Sequence, residues 1–263
     1  MIAFVKAHAY GNDFLYVRRS DASGRDVAAL ARRMCDRHIG IGADGLIVYE
    51  PTPDGASMRL FNADGSRSEV SGNGVRGLAA LLLRDIASPA DLDVTIHSEG
   101  GVKHLVRTGR DGARQTFRAA MGLPEDLRQI DVTAAGEALR VAVMTFGNPQ
   151  CVALGTLPDR ARFERLGPAL ERHELFPART NVEFAHVDAP DVVRILIWER
   201  GVGPTTSSGT GSCAALIAAA AFGGAARGAD VIAPGGRQRV EWHDDSVYLT
   251  GWAEVLYDAT WQL

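Results

Sequence analysis

Two short turns carry the residues best suited to chemistry, Ser71-Gly72-Asn73-Gly74 and Ser208-Gly209-Thr210-Gly211, set 137 residues apart. Each opens into an alanine- and leucine-rich apolar segment with helical character. Glycines ahead of a helix leave backbone N–H groups without intrahelical partners beside a positive dipole end, an arrangement that holds a carboxylate or an oxyanion. A serine at the first position adds a hydroxyl. Serine is also one of the best helix caps, and a cap can serve as a reacting group as well. Two such turns point to one active site built twice, with two hydroxyls about a single substrate.

The elements that must position these turns are mostly short alternating strands, expected at 2–6, 14–18, 45–49, 57–61, 93–97, 102–107, 115–121, 139–145, 181–187, 193–198, 238–242, 246–250 and 252–257. Amphipathic helices are expected at 26–36, where Val27, Leu30, Ala31 and Met34 share a face, and at 160–173, where Phe163, Leu166, Ala169 and Leu170 do. The helices at 74–85 and 210–222 are apolar nearly all round, so each belongs inside a wrapping of strands. The two halves then align. Asn12 follows Gly11 and precedes Ser71 by 59 residues, while Asn148 follows Gly147 and precedes Ser208 by 60. A strand ends nine residues before each serine, at Asn62 and at Glu199. The expected fold is α+β, two pseudo-symmetric domains each with a mixed or antiparallel sheet around a central helix. The first spans 1–114, joined by the terminal strand 252–263, and the second spans 115–251, with the handover in the polar Arg110–Arg118 stretch.

Composition narrows the function classes. The 263 residues carry a net charge of −4, which offers nothing to nucleic acid. The apolar run from Ala214 to Phe222 stops at Gly223-Gly224, well short of the ~20 residues a membrane helix needs. The first residues read as a strand and not as a signal peptide, and Cys35, Cys151 and Cys213 have no pairing or metal-ligand spacing, so a reducing cytoplasm is expected. Cys213 and Cys35 read as structural residues, and Cys151 as buried in a strand. Lys6 and Lys103 are the only lysines, which disfavours pyridoxal chemistry. Gly201-Val202-Gly203 lacks the lysine and spacing of a phosphate loop, so a nucleotide site is not expected.

Seven segments run in order through nearly the whole chain: Ala9-Tyr10-Gly11-Asn12-Asp13-Phe14, Cys35 to Gly45, Phe61 to Ser66, Gly72-Asn73-Gly74-Val75-Arg76, Gly147-Asn148-Pro149, Thr180-Asn181-Val182 and Glu199-Arg200-Gly201. Together they resemble the diaminopimelate epimerase family. The resemblance implies a two-domain fold with a cofactor-independent site in the cleft between the halves, and a tendency toward homodimers. It implies a small amino-acid substrate, LL- or meso-diaminopimelate. Inverting an α-carbon without a cofactor needs a base on one face and an acid on the other, which two opposed turns would supply.

By the same resemblance, Ser71 and Ser208 stand at the acid and base positions, where the family carries cysteines. Asn62, Asn181, Glu199 and Arg200 match positions that hold the distal amino-acid end of the substrate: the guanidinium suits a carboxylate and the carboxylate an ammonium. Asn12, Asn73, Asn148 and Gln150 match positions lining the reacting centre, and the N–H groups of Gly72, Asn73, Gly209 and Thr210 are placed to take the α-carboxylate. Three further positions depart from the family: Gln150 replaces a histidine, Gly45 a glutamine and Pro204 a glutamate. An alcohol titrates far above a thiol and needs a partner base. The readings are therefore an epimerase of the family type, a same-fold isomerase or dehydratase acting on another amino or unsaturated acid, and a silent amino-acid-binding protein.

Overall fold

The computed structural model describes residues 1–69, 71–87 and 92–262, and the chain falls into two compact units. The first comprises Met1–Ala119 and the segment from Gly251 onward; the second comprises Ala120–Thr250. Leu263, the last residue of the expected terminal strand, lies outside the described residues.

In the first unit the elements run β1 (Ile2–Ala9), β2 (Asn12–Arg18), α1 (Val27–Cys35), β3 (Gly45–Thr52), β4 (Gly55–Asn62), β5 (Arg67–Ser68), α2 (Gly72–Leu82), β6 (Leu92–Ser98), β7 (Gly101–Asp111) and β8 (Arg114–Ala120). β1 and β2 form a hairpin whose two turn residues, Tyr10 and Gly11, have φ of 56° and 86°. Two left-handed residues suit a tight hairpin, because that twist matches the flanking strands. β2 then pairs parallel with β3, β3 antiparallel with β4, β4 antiparallel with β5 and parallel with β6, and β6 antiparallel with β7. Residues 110–118 span the β7–β8 hairpin, whose turn is Gly112 and Ala113, closed where Asp111 pairs with Arg114.

The second unit repeats this order of pairing. It contains β9 (Glu125–Ala134), β10 (Glu137–Thr145), β11 (Pro149–Leu154), α3 (Arg160–Glu171), β12 (Asn181–Ala189), β13 (Val192–Glu199), β14 (Gly203–Thr205), α4 (Gly209–Phe222), β15 (Gly228–Ala233), β16 (Gly236–Trp242) and the start of β17 (Val247–Trp261). β10 and β11 form the hairpin, β11 pairs parallel with β12, β12 and β13 are antiparallel, β13 takes β14 antiparallel and β15 parallel, and β15 and β16 are antiparallel. The mixed, sheet-rich α+β architecture is the expected one.

Helix composition explains where each helix sits. α2 and α4 have no broad polar face, and each lies in a core lined by strands of its own unit: Val75, Leu78 and Ala79 pack with Tyr16, Ile47 and Phe117, and Leu216 and Ile217 with Val152, Ile195 and Val240. Each fully buried Leu or Ile contributes roughly 1.5–3 kcal/mol. α1 and α3 are amphipathic and cover separate cores, α1 through Leu30, Ala31 and Met34 and α3 through Phe163, Leu166 and Leu170. Strands in both units are thus covered on both faces. β17 is continuous, where two strands broken at Gly251 were expected; a Cβ on Gly251 would lie 3.1 Å from the Tyr10 hydroxyl and 3.3 Å from the Arg76 guanidinium carbon, a tight fit against both side chains.

Candidate active site

Both serines cap their helices in nearly the same way. Ser71 has φ −128° and ψ 123° and its Oγ accepts from Gly74 N at 3.2 Å; Ser208 has φ −140° and ψ 129° and its Oγ accepts from Gly211 N at 3.1 Å. Their carbonyls accept from Val75 N at 2.8 Å and Ser212 N at 3.1 Å. Each cap thus satisfies the third N–H of the first turn. The first two N–H groups, of Gly72 and Asn73 and of Gly209 and Thr210, precede the helical ladder and have no carbonyl within the helix to receive them.

The glycines divide into two kinds. A Cβ on Gly72 would meet nothing within 4 Å, whereas one on Gly74 would lie 2.8 Å from Ile47 Cδ1 and one on Gly77 2.1 Å from the Tyr16 hydroxyl. Gly74 and Gly77 therefore let α2 approach β2 and β3, and the Tyr16 hydroxyl donates to the Gly74 carbonyl at 2.9 Å. In α4 a Cβ on Gly209 would be 3.2 Å from Leu249, and one on Gly211 only 2.6 Å from Glu183 Oε1. Gly72 is the glycine of α2 that faces open space.

In the first unit the β1–β2 turn delivers Asn12 to the N-terminus of α2. Asn12 Nδ2 donates to Asp44 Oδ2 at 2.7 Å and its Oδ1 accepts from Asn73 Nδ2 at 3.2 Å, while Asn73 Oδ1 accepts from the Arg76 guanidinium. Arg76 is buried at 2% exposure and stacks on Tyr10, with its guanidinium carbon 5.7 Å from the ring centre. Asp44 is tied to Arg37 at 2.9 Å, and Arg37 also holds Asp13. Asn62, opposite Gly45 in the β3–β4 register, donates through Nδ2 to Ser66 Oγ at 2.9 Å and so also shapes the turn after β4. Gly45 admits no side chain, since its Cβ would lie 2.8 Å from the Phe61 carbonyl oxygen.

In the second unit the strand register gathers the candidates at one end of the sheet. Gln150 lies beside Asn181, and Val182 opposite Trp198, the residue before Glu199. Asn181 is buried, donates to the Pro149 carbonyl at 3.3 Å and accepts from the Arg200 backbone N–H at 2.9 Å. The exposed Arg200 guanidinium donates to the Ala178 carbonyl at 3.2 Å. Glu199 is half-buried at the end of β13. Beneath the loop that follows, the Glu171 carboxylate accepts from Trp198 Nε1 and from Gly201 N, both at 3.0 Å. Burial pushes Glu171 up, but those two bonds and the charges of Arg172 and Arg179 hold its pKa below the usual value.

Gln150 bridges Asn148 and Glu183. In one orientation of its amide the Gln150 NH2 donates to Asn148 Oδ1 and its oxygen faces the Glu183 carboxyl, where it can accept from the protonated acid; turned over, its NH2 donates to the Glu183 carboxyl oxygens at 3.1 and 3.2 Å and its oxygen faces Asn148 Oδ1. Glu183 was not expected in the site. It is wholly buried, and burial first, then the Glu199 charge, pushes its pKa up to about 8. Asp44 and Arg76, which the sequence did not single out, bond to Asn12 and Asn73 respectively. The three cysteines are free and buried; burial pushes the Cys35 thiol up to about 12, and burial and Glu183 also raise that of Cys151, so neither is a thiolate at neutral pH. Lys6 is held by Asp13 at 2.9 Å and the Gly42 carbonyl at 2.7 Å. No helix among the described residues is long and apolar enough to cross a membrane.

Residues 4–127 and 141–256 match the family model described as diaminopimelate epimerase. A diaminopimelate epimerase of Desulforudis audaxviator is 41% identical over 98% of this chain and 98% of its own length, and the chloroplastic diaminopimelate epimerase of Oryza sativa subsp. japonica is 37% identical over 97% of this chain and 78% of its own. Among solved structures, a predicted epimerase from Pseudomonas aeruginosa shares the fold, with a TM-score of 0.76 at 18% identity over the full length of both chains.

Proposed function

The chain belongs to the diaminopimelate epimerase family, and from that membership we propose that it interconverts LL- and meso-diaminopimelate by two-base proton transfer without a cofactor. The observation that carries the reading is the repetition of one capped turn at the start of both buried helices, each with a polar network at its foot. Inversion needs one group to remove the α-proton and another to return a proton from the opposite face, which is a chemical reason for a chain to carry two such turns. In this reading Ser71 and Ser208 occupy the two proton-transfer positions. The N–H groups of Gly72, Asn73, Gly209 and Thr210 neutralise the α-carboxylate as charge builds on the carbon. Asn12, Asn148 and Gln150 line the reacting centre, and Asn62, Asn181, Glu199 and Arg200 hold the distal amino-acid group.

An alcohol is a weak base, so turnover is slow relative to a thiol-bearing enzyme. The buried cysteines agree with a cytoplasmic enzyme, and the family's tendency supports a homodimer. Chiral separation of the diaminopimelate isomers after incubation with the protein tests the proposal. Formation of meso from LL isomer supports it; saturable binding with no conversion supports an amino-acid-binding protein; neither binding nor conversion redirects the search to other amino and unsaturated acids.

A further inference from the structure

The second unit buries a carboxylic acid that the reading above leaves unused. Strand alternation sends Val182 and Phe184 of β12 to the α3 side, where they join the Phe163 and Leu166 core, and turns Glu183 toward α4. Glu183 Oε1 and Ser208 Oγ lie 2.6 and 3.1 Å from the point where a Cβ on Gly211 would stand, so the two oxygens are within about 6 Å of each other. The carboxyl therefore sits at the N-terminus of α4, against the same turn whose first N–H groups lack helical partners.

Among the described residues, burial and the Glu199 charge act on Glu183, and both oppose its ionisation. α4 contains no charged residue. On that face β11 presents Gln150 and Val152, with the un-ionised Cys151 thiol on the other face, and β13 presents Glu199, a like charge. The other charged groups of β12 and β13 lie toward the far end of the strands, where Arg194 is bound to Asp188 at 2.6 Å and His186 lies 3.4 Å from it. A buried carboxyl in such a place stays protonated well above the usual glutamate range.

We propose that Glu183 is a positioning residue for the Ser208 turn: held by Gln150 in its uncharged form, it leaves the N–H groups of Gly209 and Thr210 to a substrate carboxylate, and on ionising it competes with that carboxylate. The helix end attracts one anion, and a second negative charge within a few ångströms opposes it. Gln150 suits this role because an amide binds the carboxyl in either protonation state and adds no charge of its own. The identity of the ligand rests on the epimerase reading; the placement of Glu183 does not.

The test pairs a kinetic and a spectroscopic measurement on the full chain. KM and kcat for LL-diaminopimelate are measured from about pH 6 to about pH 9.5 in the parent protein, E183Q and E183D, and the glutamate side-chain carboxyl resonances are titrated by carbon NMR in the parent and E183Q. The expected result is a resonance, missing in E183Q, that titrates far above the other glutamates. With it, KM rises by up to tenfold per pH unit above that midpoint while kcat does not fall in step. E183D keeps the rise and E183Q loses it. A Glu183 resonance in the ordinary glutamate range, or the same rise in E183Q, overturns the proposal. If the resonance titrates high but diaminopimelate is neither bound nor turned over at any pH, the epimerase reading fails and takes the ligand assignment with it.

Discussion

Asn73 Nδ2 donates to Asn12 Oδ1 at 3.2 Å and so fastens the first turn of α2 to the start of β2. The bond is the middle link of a chain from Asp44 through Asn12 and Asn73 to Arg76. The corresponding place in the second unit holds Asn148, Gln150 and Glu183. The two turns share one backbone frame and differ in what stands beside them: a buried guanidinium by α2 and a buried carboxyl by α4.

Replacing Asn73 with alanine removes an acceptor from the buried Arg76 and a donor from Asn12 Oδ1, which costs on the order of 1–3 kcal/mol. Urea unfolding should show that loss in N73A and a comparable one in N12A. The double variant should lose less than the sum, because each deletion already breaks the shared bond.

Gly72 and Gly211 should respond oppositely to alanine. G211A drives a methyl to 2.6 Å from Glu183 Oε1 and 3.1 Å from Ser208 Oγ, so it destabilises the second unit and weakens substrate binding together. G72A adds a Cβ in open space and gains up to about 1 kcal/mol of helix propensity. Its melting temperature should hold or rise while KM for diaminopimelate increases, since the added methyl stands where the carboxylate is proposed to bind.

Glu171 latches the end of β13 and the loop that starts at Arg200. E171Q loses a charged acceptor for Trp198 and Gly201 and should cost about 2 kcal/mol. Because the folded pKa lies below the ordinary glutamate value, the Glu171 contribution is complete above that value and is lost as pH falls through the folded pKa. Unfolding measured across acidic pH should therefore steepen in the parent relative to E171Q.

Glu183 gives the opposite sign. Its folded pKa is raised to about 8, so the folded state binds the extra proton and the stability this confers is complete below the ordinary glutamate pKa and declines as pH rises toward 8. Denaturation midpoints of the parent should fall over that window more than those of E183Q.

The two capped helices and the amphipathic pair were legible because serine caps and apolar periodicity are local signals. β9 was not, since Glu125 to Ala134 is largely charged and polar and becomes a strand only through its pairing with β10. β11 opens on a proline and β15 on a glycine, both poor strand signals. In the candidate site, Asn12, Asn62, Asn148 and Glu199 were singled out by their order along the chain, and Asn73, Asn181 and Arg200 by the family resemblance. Glu183 was hidden because a charged residue alternating with apolar ones reads as the solvent face of a half-covered strand. β12 has α3 on one face and α4 on the other, a property of tertiary packing that one strand's pattern does not report.

The two serine positions themselves are tested most directly by α-hydrogen exchange. LL-diaminopimelate is incubated in heavy water with the parent, S71A, S208A and the S71C/S208C variant, and deuterium at the α-carbon is read by mass spectrometry together with the LL-to-meso ratio. The expected result is slow deuterium incorporation with epimerisation in the parent, loss of epimerisation in both alanine variants, and a gain on the order of 10²-fold in the cysteine pair, the scale of a well-matched acid–base group. Epimerisation that continues undiminished in S71A and S208A, or a parent protein that binds diaminopimelate without exchanging its α-hydrogen, would contradict the account.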